Sequence, residues 1–192
     1  MIERFEASKY IASKLTNELV VAALGNAAFD IFNAKDRPRN FYMWNSMGMT
    51  CSMGLGLAMA RPQEKVIVLD GDGSLLMNLG SLPTEAVRSP KNLIHICWDN
   101  RSYEQTGKQP TATAYRTDLA KIAEGSGFAS DKVERVESMP AFQKAFDRSL
   151  AGDGPWFILA LIEQNRAKPP RPPISPTFIK HRFMTDLGIR EH

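Results

Sequence analysis

Asp72 stands between two glycines in Gly71-Asp72-Gly73-Ser74, directly after an apolar run over residues 66–69. From position 72 to position 100, 28 places on, Asn100 follows Asp99 at the end of a second apolar run over residues 93–98, and Ser102 lies two residues further. The Asp72 carboxylate, the Asn100 amide oxygen and the main-chain carbonyl of Ser102 form a hard oxygen set. Mg²⁺ suits such a set, because it takes few protein ligands and fills its other positions with phosphate oxygens. Gly71 and Gly73 permit a close turn whose N–H groups face an anion. Gly73 and Ser74 stand where a helix would start, a place that favours a diphosphate. The chemistry these residues suit is the grip of a diphosphate through a divalent cation.

The elements that must position them follow from the pattern around them. Both apolar runs are short and rich in branched residues, as buried parallel strands are. Helix-forming sequence lies between them, so they make a β-α-β unit with its polar groups at the carboxyl ends of both strands, where open α/β sheets bind ligands. Upstream, residues 3–15 read as an amphipathic helix, 19–24 as a buried strand, 27–32 as the start of a helix and 41–43 as a short strand. Gly25 and Asn26 end the first strand and stand equally as diphosphate neighbours or as a plain turn. Residues 50–60 make a helix of small residues, fit to pack close to a neighbour. Downstream, residues 101–115 form a polar loop without a period, a candidate lid. Helices at 119–127 and 139–150 alternate with strands at 132–136 and 155–162. The expected fold is an α/β doubly wound parallel sheet with helices on both faces. The domain spans residues 1–165, and residues 166–192 form a Pro-rich linker with a terminal docking helix at 174–187.

The 192 residues are enough for one domain with a sizeable core. The net charge of +3 is small and the basic residues are scattered, apart from Arg166, Lys168 and Arg171, which argues against nucleic acid. No apolar run reaches the length of a membrane span. The N-terminus lacks the apolar core of a signal peptide, and Cys51 and Cys97 sit in apolar stretches as buried thiols, so a cytoplasmic location is expected. Their number and spacing do not suit zinc. His95, inside the second strand, reads as a packed core histidine.

The motif resembles the diphosphate-and-magnesium motif of the thiamine diphosphate enzymes. That motif usually ends in two asparagines; here the first is Asp99, and the second, Asn100, is the one the family places on the metal. The stretch FYMWNSMGMTCSMGLGLAMA at 41–60 resembles the segment beneath the cofactor. The resemblance implies that Met47 is the wedge that bends thiamine diphosphate and that the Asn45 carbonyl accepts a hydrogen bond from its aminopyrimidine. Without the resemblance, Met47 and Met49 read as core methionines. Tyr103 and Glu104 follow the metal residues closely and are expected at the cofactor as proton-transfer candidates.

The order of segments, and above all Thr106-Gly107-Lys108-Gln109-Pro110-Thr111, resembles the decarboxylases of sulfopyruvate and phosphonopyruvate. That resemblance covers nearly the whole chain. It implies a thiamine diphosphate- and Mg²⁺-dependent decarboxylase of a small anionic 2-keto acid, with Lys108, Gln109, Thr111 and also Arg101 as donors to its sulfonate or phosphonate. A solvated loop charge is the competing reading of Lys108. It further implies a separate pyrimidine-binding (α) subunit that supplies the catalytic Glu, in an α2β2 or higher assembly, since this chain has room only for the diphosphate-binding domain.

Other readings are a carboligase or 2-oxoacid oxidoreductase subunit, or a catalytically silent thiamine diphosphate-binding subunit. A dinucleotide-binding module is disfavoured, because no G-x-G-x-x-G follows the first strand. If Lys108 recognises the second anionic group, Lys108→Ala raises KM for the dianionic substrate by about tenfold while KM for pyruvate stays put. Steady-state kinetics on both substrates check this, and equal effects remove Lys108 from recognition.

Overall fold

Branched side chains are stiff and pack well on a pleated surface, so the Val/Ile/Leu runs become strands and the small or straight-chain stretches between them become helices. The computed structural model describes residues 1–164 and 169–189. The chain runs α1 (Arg4–Lys14), β1 (Leu19–Ala22), α2 (Asn26–Ala34), β2 (Asn40–Tyr42), α3 (Thr50–Ala60), β3 (Val66–Gly71), α4 (Asp72–Leu76), α5 (Ser81–Arg88) and β4 (Leu93–Asp99). It continues through β5 (Ser102–Tyr103), β6 (Gln109–Pro110), α6 (Leu119–Gly125), β7 (Val133–Val136), α7 (Met139–Ala151), β8 (Trp156–Leu161) and α8 (Pro176–Asp186). Six strands form one parallel sheet in the order β2-β1-β3-β4-β8-β7.

Successive residues on a strand point to opposite faces. Val20, Ile67, Leu69, Ile94 and Ile96 therefore meet Ile11 of α1, Ile31 of α2 and Phe142 and Phe146 of α7. Val66, Val68 and Leu93 meet Leu55 and Ala58 of α3 on the other face, where Phe157 and Leu159 also meet Leu82 of α5 and Leu119 of α6. Both faces are covered, as the doubly wound reading requires. Leu69 is in register with both Ala22 and Ile96, so the carboxyl ends of β1, β3 and β4 share one edge. The chain goes outward from β1 to β2 and then returns past β1 to β3. This reversal leaves a crevice above the tips of β1 and β3.

Two local expectations change. The first strand stops at Ala22, although the Ala23 N–H still reaches Leu69 O at 2.8 Å. The loop at 101–115 is not free of regular structure: β5 and β6 pair as a short antiparallel hairpin, and a 3₁₀ turn follows at Ala112–Ala114. The expected boundary at 165–166, with Arg166 and Lys168, lies outside the described residues. Beyond it α8, capped by the Ser175 hydroxyl, buries Ile179 and Phe183 against the sheet edge. The Phe183 ring meets Phe41 edge-on at 5.4 Å, and Arg182 holds Asp36 by two bonds of 2.6 and 2.8 Å. Among the described residues no helix is long and apolar enough to cross a membrane.

Helix α3 approaches β3 so closely that a Cβ on Gly54 would lie 2.0 Å from Val68 Cγ2, whereas one on Gly56 would meet nothing within 4 Å. Gly54→Ala should therefore destabilise the chain by about 1–3 kcal/mol. Gly56→Ala should be neutral or stabilise by up to about 1 kcal/mol. Urea unfolding of the two variants checks the contrast.

Candidate functional site

The crevice at the β1/β3 reversal is an open cleft. Its floor is the end of β3 and the start of α4, Asp70 to Ser74. One wall is the start of α2 with Asn26, another the segment after β4 with Asn100, Ser102, Tyr103 and Glu104, and Met47 closes a third side.

Asp72 is the first residue of α4 and is almost wholly buried. Its Oδ2 accepts from the Thr111 hydroxyl at 2.6 Å and lies 3.2 Å from the Thr113 hydroxyl. Thr113 is also 2.7 Å from Asp99 Oδ1 and 2.8 Å from Thr111 Oγ1. Each hydroxyl carries one hydrogen. Two hydrogens thus serve two carboxylates that two strand tips bring together. Burial, followed by the nearby charge of Asp99, pushes the Asp72 carboxyl up to about 6, against the hydrogen bond from Thr111. The arrangement lacks positive charge, which a proton or a hard cation would supply. The oxygen set available for a cation is that of Asp72, Asn100 and Ser102, all on the cleft.

The segment after β4 is pinned across the cleft. Asn100 Oδ1 accepts from the Ser102 N–H at 3.0 Å, and its Nδ2 donates to Glu104 Oε2 at 3.2 Å. The same Glu104 oxygen accepts from Asn26 Nδ2 at 2.7 Å. Gln105 Nε2 donates to Asn26 Oδ1 at 2.5 Å. Arg4 of α1 reaches 3.9 Å from Glu104 while bonding Asp30 of α2. Burial raises the Asp30 carboxyl, and the Arg4 guanidinium works against that rise. Tyr103 lies on the floor: a Cβ on Gly73 would sit 2.6 Å from its ring and 3.4 Å from Met47 Cε.

The structure brings Asn26, Met47, Gly71, Asp72, Gly73, Ser74, Asn100, Ser102, Tyr103 and Glu104 to one cleft. It does not bring all the expected residues there. Gly25, at φ +80°, lines a neighbouring hollow with Phe29 and Trp44. Asn45 is exposed outside the cleft. Lys108 and Gln109 are exposed at the β5–β6 hairpin, away from the cleft lining. Thr111 is buried and spends its hydroxyl on Asp72, so it orients a carboxylate where it was expected to face a substrate. Arg4, Asp30 and Thr113 were missed. Nothing local marks them, since their partners (Asp30 for Arg4, Asp72 for Thr113) stand on other elements. The one available signal was the second carboxylate, Asp99, which needs hydroxyl donors.

Residues 23–160 match the family described as "Thiamine pyrophosphate enzyme, C-terminal TPP binding domain". The chain is 42% identical over 187 residues to "Sulfopyruvate decarboxylase subunit beta" of Methanothermobacter thermautotrophicus, covering 97% of this chain and 96% of that protein. It is 35% identical over 165 residues to "Phosphonopyruvate decarboxylase" of Streptomyces viridochromogenes, covering 85% of this chain and 41% of that protein. In fold it is similar to the crystal structure of benzoylformate decarboxylase from Polynucleobacter necessarius, with a TM-score of 0.71, 16% identity, and coverage of 87% of this chain and 34% of that one.

A Cβ on Gly71 would come no closer than 4.0 Å to Trp98 O, but one on Gly73 would strike Tyr103. Gly71→Ala should leave the thermal midpoint nearly unchanged. Gly73→Ala should cost about 1–3 kcal/mol, a drop of roughly 2–12 °C for a chain of this size, readable by calorimetric melting.

Proposed function

The chain belongs to the thiamine pyrophosphate enzymes, and on that premise we propose that it is the diphosphate- and Mg²⁺-holding subunit of a 2-keto acid decarboxylase acting on 3-sulfopyruvate. The observation that carries this reading is the convergence of Asp72, Asn100 and Ser102 on one cleft at the sheet's reversal point. Their all-oxygen chemistry, and the charge deficit around Asp72 and Asp99, fit a hard divalent cation and the diphosphate it tethers. The match to a named sulfopyruvate decarboxylase β subunit, end to end at 42% identity, supports the substrate. The shorter match to a phosphonopyruvate decarboxylase makes 3-phosphonopyruvate the second substrate to test.

When bound, the coenzyme's thiazolium supplies the electron sink into which the carbon–carboxylate bond breaks. The rest is this chain's work. Asp72, Asn100 and the Ser102 carbonyl would hold the metal. The N–H groups of Gly73 and Ser74 and the amide of Asn26 would meet the diphosphate, with Gly25 shaping the turn beneath it. Met47 would press on the cofactor from below, and the Asn45 carbonyl would accept from its aminopyrimidine. Tyr103, against Gly73, and Glu104, in the wall, would exclude water and stand within reach of a proton to be moved. Lys108 and Gln109, on the exposed hairpin, would meet the substrate's second anionic group only where another chain completes the site.

That other chain is a separate pyrimidine-binding subunit that supplies the catalytic Glu, in an α2β2 or higher assembly. The support is the name of the relative that this chain matches over 96% of its length, a "subunit beta". The setting is the cytoplasm, consistent with two buried free thiols.

Calorimetry of the chain with its companion subunit should show thiamine diphosphate binding that requires Mg²⁺. Asp72→Ala should weaken it by at least about a hundredfold, since it removes a metal ligand. Product analysis should find CO₂ and sulfoacetaldehyde from sulfopyruvate. Phosphonoacetaldehyde formed faster from phosphonopyruvate would reassign the substrate, and a longer hydroxyketone or an acyl-CoA would reassign the reaction.

A further inference from the structure

Behind the cleft floor lies a chain of wholly buried polar groups that the functional reading leaves unused. His95 of β4 is packed edge-on against Phe157 at 5.1 Å, as a core histidine would be. It is not merely packed. Its Nδ1 donates to Glu85 Oε2 of α5 at 3.1 Å, and the other Glu85 oxygen accepts from the Cys51 thiol of α3 at 2.9 Å. The ligand atoms of Cys51, Glu85 and His95 lie within 4.8 Å of one another. Glu85 nevertheless spends both oxygens on the thiol and the imidazole, so the cluster closes on itself. Its open atom is His95 Nε2, which faces Asp70 Oδ2 at 3.9 Å. Neither atom has a hydrogen-bond partner among the described residues.

Asp70 carries the contact forward. Its Oδ1 accepts from the Gly71 N–H at 2.9 Å. At the other end of the same turn, the Ser74 oxygen accepts from the Gly48 N–H at 3.1 Å. Gly71 and Ser74 bracket Asp72 and Gly73, and Gly48 follows Met47. The carboxylate thus anchors the start of the turn that would hold the diphosphate, and Ser74 at its end ties in the segment that carries Met47. Burial works to strip His95 of its proton, but Glu85, helped by Cys51, holds it well above the usual histidine range.

We propose that His95 is a positioning residue for the coenzyme: backed by Glu85, it fixes Asp70, and Asp70 holds the Gly71–Ser74 turn, to which Gly48 is bonded, in the shape that grips thiamine diphosphate. The residue touches neither cofactor nor substrate, so its loss lowers the affinity for the coenzyme rather than the rate of the loaded enzyme. The inference rests on the functional reading above.

The test uses the chain assembled with its companion subunit. His95→Gln should raise the Kd for thiamine diphosphate with Mg²⁺ by about tenfold or more, the range for removing an outer support of a metal site. At saturating coenzyme kcat should stay within about twofold. Phe146→Leu, a core change on the far face of the sheet, should lower the melting point without moving that Kd. Should His95→Gln not fold, Glu85→Gln serves in its place, with an increase of about two- to tenfold. Asp70→Asn combined with His95→Gln should weaken binding no more than the worse single change, because both act through one contact. An unchanged Kd in His95→Gln, an equal rise in Phe146→Leu, or additive effects in the pair would overturn the proposal while the functional reading stands. Failure of the unaltered enzyme to bind thiamine diphosphate would refute both.

Discussion

Two carboxylates from neighbouring strand tips share one buried place. Asp72 and Asp99 are brought together by the parallel pairing of β3 and β4, and the surroundings are too dry to screen them. Much of the cleft resolves that repulsion. Thr111 and Thr113 place their hydroxyls between the carboxylates, and this pulls the loop after β4 back over the sheet edge. Once there, the loop lays Tyr103 on Gly73 and presents Asn100 and Ser102 beside Asp72. A site that concentrates negative charge in this way is shaped for a cation before any arrives.

The same logic extends to the walls. Glu104 is a third carboxylate at the cleft, and it is tied down by Asn26, by Asn100 and by Arg4 of the N-terminal helix. Arg4 is in turn fixed by Asp30 of α2. Below the floor, His95 stands between Glu85 and Asp70. The acids around the cleft thus draw their partners from different elements: an arginine at the wall, threonine hydroxyls between Asp72 and Asp99, and a wholly buried histidine behind the floor.

Much of the fold was legible from pattern alone. The runs at 66–69 and 93–98 are too short and too apolar to be anything but buried strands, and their polar ends mark the binding edge. The helix at 50–60 was read to its ends. The loop at 101–115 was less legible, because its pairing is imposed by contacts rather than by local preference: β5 and β6 are two residues each, and Thr111 lies opposite Arg101 through a single 3.1 Å bond. Its pattern marks it as a candidate lid but does not say which of its residues line the cleft. Spacing could not tell that Thr111 turns inward while Lys108 and Gln109 stay out.

By itself the sequence determined the alternation of strands and helices, the Gly71–Ser74 turn and the placement of Asp72 and Asn100 at two strand ends, because these depend on residues close in the chain or on a repeating period. Only the tertiary structure decided that Arg4, held by Asp30, reaches the cleft wall, that Thr113 bridges two acids, and that His95 bonds Glu85 and faces Asp70 where packing alone was expected. Those contacts join positions far apart in sequence. They are set by strand order and by the demand that every buried charge find a partner, and neither leaves a mark on the residues nearby.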